Sequence, residues 1–320
     1  MLYKRKFQFH NFLSLNLTTN SRIILNKVAN QLGEIKSGNV SNRNIDFLVL
    51  LKTTDKSGSK KTLNQGISPS ANIHQTTITN LPLATVKADP YLNVVKADIF
   101  SLKVFKDSLV EFTIFQPLRF ILAISKIFFL HASFVSKNGK TILFSGPQNC
   151  GKSVLSLSLV LKRKFNLLTD DKCFLKLTPK NAQVYPIPTS IGVKKSTLNE
   201  FPELKKIIIP NFKFGGKKRL FLNTPPDNTK NINYCDFLIF PRYKEEGTVT
   251  LKRIPAPIAF KKLSDAHITK FQNDRNDKLL TKYFWTLYAL ANNTPCFELT
   301  YNDRGLNKAC DIIEELIWTK

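Results

Sequence analysis

Acidic residues are few in this chain: 23 Asp and Glu stand against 48 Lys and Arg in 320 residues, a formal net charge of +25. That balance excludes an acidic, solvating chain and favours phosphates, nucleic acid or an anionic surface as partners. The basic residues are nevertheless scattered from Lys4 to Lys320, mostly as singles, pairs and triplets among Asn, Ile and Phe. This reads as compositional bias rather than a face built for nucleic acid. Cysteine is sparse too. Cys150, Cys173, Cys235, Cys296 and Cys310 are odd in number, widely spaced and without a C-x-x-C pair. Such usage excludes a disulfide-stapled scaffold and a paired-cysteine zinc site, and suits a reducing cytoplasm. Long apolar runs are missing. The most apolar stretch, residues 119–130 (RFILAISKIFFL), contains Arg119 and Lys126 and is short of the ~20 residues a spanning helix needs; it is expected to be a buried amphipathic helix. Residues 1–17 are basic, but Gln8, His10 and Asn11 interrupt their apolar residues, which argues against a secretory signal.

What is present is a globular composition, 42% hydrophobic and 22% charged, in a chain long enough for two domains. Tyr3, Phe7 and Phe9 alternate with Lys4, Lys6, Gln8 and His10, the period of a strand. A helix near 21–32 and a strand at 45–51 follow. Residues 52–80, rich in Thr, Ser, Lys, Asn and Gln, read as a long polar loop. Strands are expected at 92–105 and 109–115, ahead of the apolar helix. Asn138-Gly139 between two β-rich segments is a strong hairpin signal. Further on, the pattern predicts a strand at 165–168, a hairpin near 178–181, a helix at 196–209, a basic loop at 217–219 and a strand at 237–240. A helix at 278–291, a strand at 296–299 and a helix at 306–318 close the chain.

The chemistry concentrates at Gly146, Pro147, Gln148, Asn149, Cys150, Gly151, Lys152 and Ser153, which fit G-x-x-x-x-G-K-[ST] at every fixed position. The β-rich residues 141–145 precede this run and helically spaced apolar residues, 153–164, follow it, the context a phosphate-binding loop requires. Gly146 and Gly151 let the backbone curl so that N–H groups face phosphate oxygens; Lys152 meets the β- and γ-phosphates of ATP, and the Ser153 hydroxyl meets Mg2+. Cys150 inside the loop reads as a packing choice. Asp170 and Asp171 come at the end of the next strand, early for an ABC-type or helicase-type acid. Two adjacent carboxylates facing one phosphate site can divide metal holding and proton transfer between them; a capped, solvated hairpin is the plainer alternative. His131 opens a β-rich segment and by itself fits a core position. His10, His74 and His267 have no comparable setting. Gly215-Gly216 followed by Lys217, Lys218 and Arg219, and Arg242 after Pro241, suit solvation or a phosphate clamp.

Taken together, Leu130-His131-Ala132, the hairpin with Gly139, GPQNCGKS and LLTDD resemble the catalytic domain of HPr kinase/phosphorylase and its relatives. The resemblance runs over residues 131–193. It implies an α/β phosphate-loop kinase domain of mixed central sheet and flanking helices at 95–320, behind a small α+β accessory domain at 1–94. It also implies catalytic roles for His131, Lys152 and Asp170, with Asp170 exchanging a proton with the acceptor serine, and a metal-side role for Asp171 beside Ser153. The implied cofactors are ATP and Mg2+, and the implied partner is a protein or peptide with an acceptor hydroxyl, in a cytoplasmic protein compatible with a homo-oligomer and with no specific nucleic acid and no membrane span. Residues 185–193 (YPIPTSIGV) carry no carboxylate where that family has a magnesium-side glutamate, and Val154 stands where it has an acid. These departures direct the expectation to the looser HPr-kinase-like group rather than to HPr as substrate. The rival expectations are a non-catalytic ATP-binding module and a nucleic-acid-associated ATPase.

Overall fold

The computed structural model describes residues 1–9, 12–32, 43–52, 76–81, 84–99, 110–178, 181–187, 189–193, 195–214, 217–220, 222, 234–267 and 277–318. His10, His74, residues 53–75 of the expected polar loop and residues 100–105 of the expected strand lie outside them. By contact the chain groups into two compact units, one of Met1–Ser125 with Gly192–Phe221 and one of Lys126–Ile191 with Leu222–Lys320.

In the first unit, β1 (Tyr3–Phe9) buries Phe7 and Phe9 and exposes Lys4, Arg5 and Lys6. It pairs antiparallel with β2 (Leu13–Thr19). Ser21 accepts from the Ile24 N–H and caps α1 (Arg22–Ala29), satisfying one of the orphan donors of its first turn. β3 (Asn44–Leu51), β4 (Thr76–Leu81), β5 (Ala84–Asp89) and β6 (Val94–Ile99) complete a mixed six-stranded sheet in the order β1-β2-β3-β6-β5-β4. Residues 76–80, expected in the polar loop, are therefore strand, drawn in by their ladder to β5. The strand expected at 109–115 is a π-helical turn, Glu111–Phe115, running into α2 (Gln116–Ile124). Pro117 lies in the first turn of that helix, and Glu111 pairs with Arg119 at 2.8 Å.

The helix expected through residue 130 ends instead at Ser125. Lys126 takes a left-handed φ of 61°, which a helix of L-residues does not continue. The β-branched and aromatic residues after it form β7 (Ile127–Leu130), buried at all four positions. β8 (Ala132–Lys137) and β9 (Lys140–Ser145) make the anticipated hairpin, with Asn138 at φ 52° and Gly139 at φ 74°, the pair of positive angles a tight right-twisted hairpin needs. After α3 (Lys152–Arg163) come β10 (Asn166–Thr169), β11 (Cys173–Leu177) and β12 (Ala182–Pro186). β11 lies between β7 and β12 in a three-stranded sheet, and Thr178 N–H donates to Asn181 O at the expected turn.

β13 (Ile191–Val193) and α4 (Lys195–Glu200) follow. The helix expected over 196–209 breaks at Phe201 because Pro202 opens a 3-10 turn, Pro202–Ile207. β14 (Ile208–Phe214) and β15 (Lys217–Leu220) then form a sheet ordered β13-β15-β14. The expected basic loop is thus a strand, and Arg219 is buried. The last elements are β16 (Phe237–Tyr243), β17 (Thr250–Ile254), α5 (Ala256–His267), α6 (Asp277–Asn293), β18 (Cys296–Tyr301) and α7 (Leu306–Trp318); sequence patterning misses β17 and α5.

The second unit is organised on a mixed sheet ordered β10-β8-β9-β16-β18-β17. β9, β16 and β18 run parallel, β8 runs against β9, and β10 runs against β8. Four strands, β10, β9, β16 and β18, therefore end on the same edge. Leu143, Phe144, Leu238, Ile239 and Leu299 are wholly buried along it. The architecture is mixed α/β with several sheets, and among the described residues no helix is long and apolar enough to cross a membrane.

Candidate functional site

The buried strand β9 runs into an irregular turn at Gly146 and out into α3 at Lys152. Three residues of this turn hold positive φ: Gly146 (149°), Asn149 (65°) and Gly151 (97°). Gly151 is the position where only glycine fits. A Cβ there would stand 1.9 Å from Tyr301 Oη, and the φ disfavours any side chain as well. Tyr301, at the end of β18, donates its hydroxyl to Gly151 O at 3.0 Å. Its burial pushes the phenol pKa up, so it stays a donor. The Lys152 ammonium is buried within the turn and donates to Gly146 O and Pro147 O, both at 2.9 Å, with Cys150 Sγ at 3.6 Å. A cation is thereby held inside a ring of backbone at a helix N-terminus, an arrangement suited to anions.

Asp170 and Asp171 follow β10, on the same edge as the turn, but their surroundings differ. Asp170 is buried and accepts from Ser133 Oγ at 3.2 Å; Ser133 is in turn 2.6 Å from Ser156 Oγ, one helical turn beyond Ser153 on α3. Asp171 is a third exposed and lies 2.7 Å from His131 Nδ1, with the Lys172 ammonium at 3.8 Å from its other oxygen. Lys172 is itself buried and lies over the Phe129 ring. Thr169 Oγ1 donates to Ile187 O, and Ile187 N–H donates to Lys172 O, which fixes the backbone on both sides of the acid pair. His131, Asp170, Asp171 and the 146–153 turn thus all belong to one unit and one sheet edge.

On the opposite flank of the turn, a cavity of about 480 Å³ opens between residues 146–150, the end of β16, α5 and β18. Arg242, left open between solvation and a clamp on sequence grounds, lines it, together with Lys262, Asp265 and Glu298. Lys217 and Arg219 belong to the other unit. Three side chains here have no sequence signal: Tyr301, Glu298 and His267. His267, at the end of α5, is buried with Nε2 3.0 Å from Ser145 Oγ, the residue just before the turn. A fixed motif reveals its own loop, but not the distant residues that the sheet brings against it.

The oxygen chemistry at this edge is of the kind magnesium takes. Ser153 and the acid pair offer hard oxygen ligands, and among the described residues no group of three or more His, Cys, Asp or Glu is placed to cage a metal. An ion here would lean on phosphate oxygens and water, as magnesium does. Comparison of the chain with protein-family models finds no match, and comparison with curated proteins finds none.

Proposed function

We propose that the chain is an ATP-dependent kinase of the HPr-kinase-like kind, transferring the γ-phosphoryl group to a serine hydroxyl of a protein or peptide. The observation that carries this reading is the shared sheet edge: an anion-ready turn holding Lys152, with a carboxylate pair on one side and a cavity on the other. Adjacent strands lie ~4.8 Å apart, so β10 and β18, each two strands from β9, are each roughly 10 Å from the turn. That spacing suits a nucleotide lying along the edge with its terminal phosphate toward the acids.

In this reading the turn's amides and Lys152 hold the β- and γ-phosphates in line with the incoming hydroxyl. Ser153 and one carboxylate would hold Mg2+, which when bound would supply positive charge against the phosphate oxygens. A carboxylate of the pair takes the hydroxyl proton as the new O–P bond forms and the β–γ bridge breaks, leaving ADP. The family resemblance gives the proton to Asp170 and the metal side to Asp171. The burial of the two supports the reverse. Asp171 is a third exposed, so an acceptor can reach it, and it is oriented by His131, whereas Asp170 is buried against Ser133 of β8, which in turn meets Ser156 of α3. A general base must reach the proton it takes.

Incubation with Mg·ATP labelled at the γ-position and a panel of hydroxyl-bearing peptides and proteins tests the proposal. It predicts magnesium-dependent label on serine. Saturable ATP binding with no transfer to any acceptor would instead indicate a non-catalytic ATP-binding module, and hydrolysis that appears only with nucleic acid would indicate a nucleic-acid-associated ATPase.

A further inference from the structure

The cavity beside the phosphate turn has a chemistry different from the turn itself. Four charged side chains line it: the Arg242 and Lys262 cations and the Asp265 and Glu298 carboxylates. Their formal charges cancel. Glu298 is held by Lys262 at 2.5 Å and by Arg242 at 3.9 Å, and Asp265 pairs with Lys261 at 2.7 Å. A second phosphate placed here would meet two carboxylates, so an anion is disfavoured. A neutral group rich in hydrogen-bond donors is favoured instead, because a carboxylate already in an ion pair keeps lone pairs to accept with. Phe240 and Tyr243 add apolar ring surface to the wall. The volume lies within the ~300–1,000 Å³ of small-molecule sites, and the loop residues 146–150 form one wall, so the cavity is continuous with the place where phosphates would bind.

We propose that this cavity takes the nucleoside half of the nucleotide, with Glu298 accepting hydrogen bonds from its ribose hydroxyls. The assignment rests on the kinase reading and adds to it the side on which the base enters and the residue that selects a ribonucleotide. It also separates Glu298 from the acid pair: β18 and β10 lie on opposite sides of β9, so Glu298 is a nucleoside-binding residue and not a substitute for the magnesium-side glutamate of the resembled family.

Titrations of three ligands in the presence of magnesium, namely ATP, inorganic tripolyphosphate and 2′,3′-dideoxy-ATP, test it on the full chain and on Ala266→Trp and Glu298→Gln. Ala266 also lines the cavity, and a tryptophan there fills it. Tripolyphosphate should bind all three proteins within about 2-fold, because it uses only the turn. ATP should bind Ala266→Trp at least ~10-fold more weakly than wild type. Wild type should prefer ATP to the dideoxy compound by ~10-fold, the scale of a hydrogen bond to a charged group, and Glu298→Gln, whose amide oxygen still accepts but carries no charge, should reduce that preference to about 3-fold or less. Unchanged ATP affinity in a folded Ala266→Trp would overturn the cavity assignment. If that variant does not fold, the wild-type ligand preference and its reduction in Glu298→Gln decide the question. Equal wild-type affinity for ATP and the dideoxy compound would overturn the role of Glu298. Binding of tripolyphosphate but not ATP would overturn the proposal and leave the phosphate turn standing; binding of neither would remove both.

Discussion

Asp170 and Asp171 are neighbours in the chain with opposite surroundings, one buried against Ser133 and the other at the surface against His131. Substituting each by Asn keeps its shape and removes its charge, so the two variants should fail differently. Asp171→Asn should leave Mg·ATP affinity within a few fold while transfer falls by ~10²-fold or more, the scale of a lost general base. Asp170→Asn should weaken nucleotide affinity and raise the magnesium requirement. Affinity titrations and product mass measured on both variants give the check. The reverse pattern would restore the division of labour that the family resemblance implies, and equal, mild effects would reduce the pair to a turn cap.

At the scale of elements, the site depends on where α3 ends as well as where it begins. Lys164 closes the helix in the left-handed region at φ 57°. The Lys137 ammonium, from the hairpin β8–β9, donates to the terminal carbonyl of Arg163 and pairs with Glu314 of α7. A cation at a helix C-terminus is favoured by the helix dipole, and here it also ties α3 to α7. Lys137→Met should therefore lower unfolding stability by about 1–3 kcal/mol, read as a lower urea midpoint at unchanged slope; a change under about 0.5 kcal/mol would show the tie to be dispensable. The hairpin and the start of α3 were legible in the sequence because their signals are local: Asn138-Gly139 demands positive φ, and the glycine–lysine–serine spacing demands a strand before it and a helix after. The break at Lys126 was not legible, since neither proline nor glycine marks it and the apolar period continues across it; strand pairing of β7 with β11 decides there. Pro202 did mark a boundary. The helical turn at 111–115, however, carries no such mark, although Glu111 meets Arg119 from it, and α5 gives only a weak signal on its own. The cavity was illegible for a different reason. It is assembled from the turn, β16, α5 and β18, and no short-range pattern encodes that meeting.

At the scale of the whole molecule, three buried thiols set an alkaline limit on stability. Burial raises the pKa of Cys173 and Cys235, and raises that of Cys296 from 9.0 to about 12. Between those two values the unfolded chain gives up a proton that the folded chain keeps at Cys296, so the unfolded state gains and stability falls as pH rises. Below pH 9 this contribution is fully present. Denaturant midpoints measured from pH 7 to 11 should stay level with respect to Cys296 until about pH 9 and then decline, and Cys296→Ala should make the decline shallower; an unchanged slope in that variant would remove Cys296 as a cause.

The surplus of cations over the chain as a whole raises the local concentration of anions without selecting among them; selection falls to the turn that holds Lys152. Calorimetric titration of Mg·ATP into wild type and Lys152→Ala, with the fold of both verified by circular dichroism, is therefore the most direct measurement. Saturable binding by the wild type, weakened by ~10²-fold or lost in the variant, is the predicted result. Equal affinity in the two folded proteins would contradict the assignment of residues 146–153 as a phosphate-binding loop, and with it the kinase proposal.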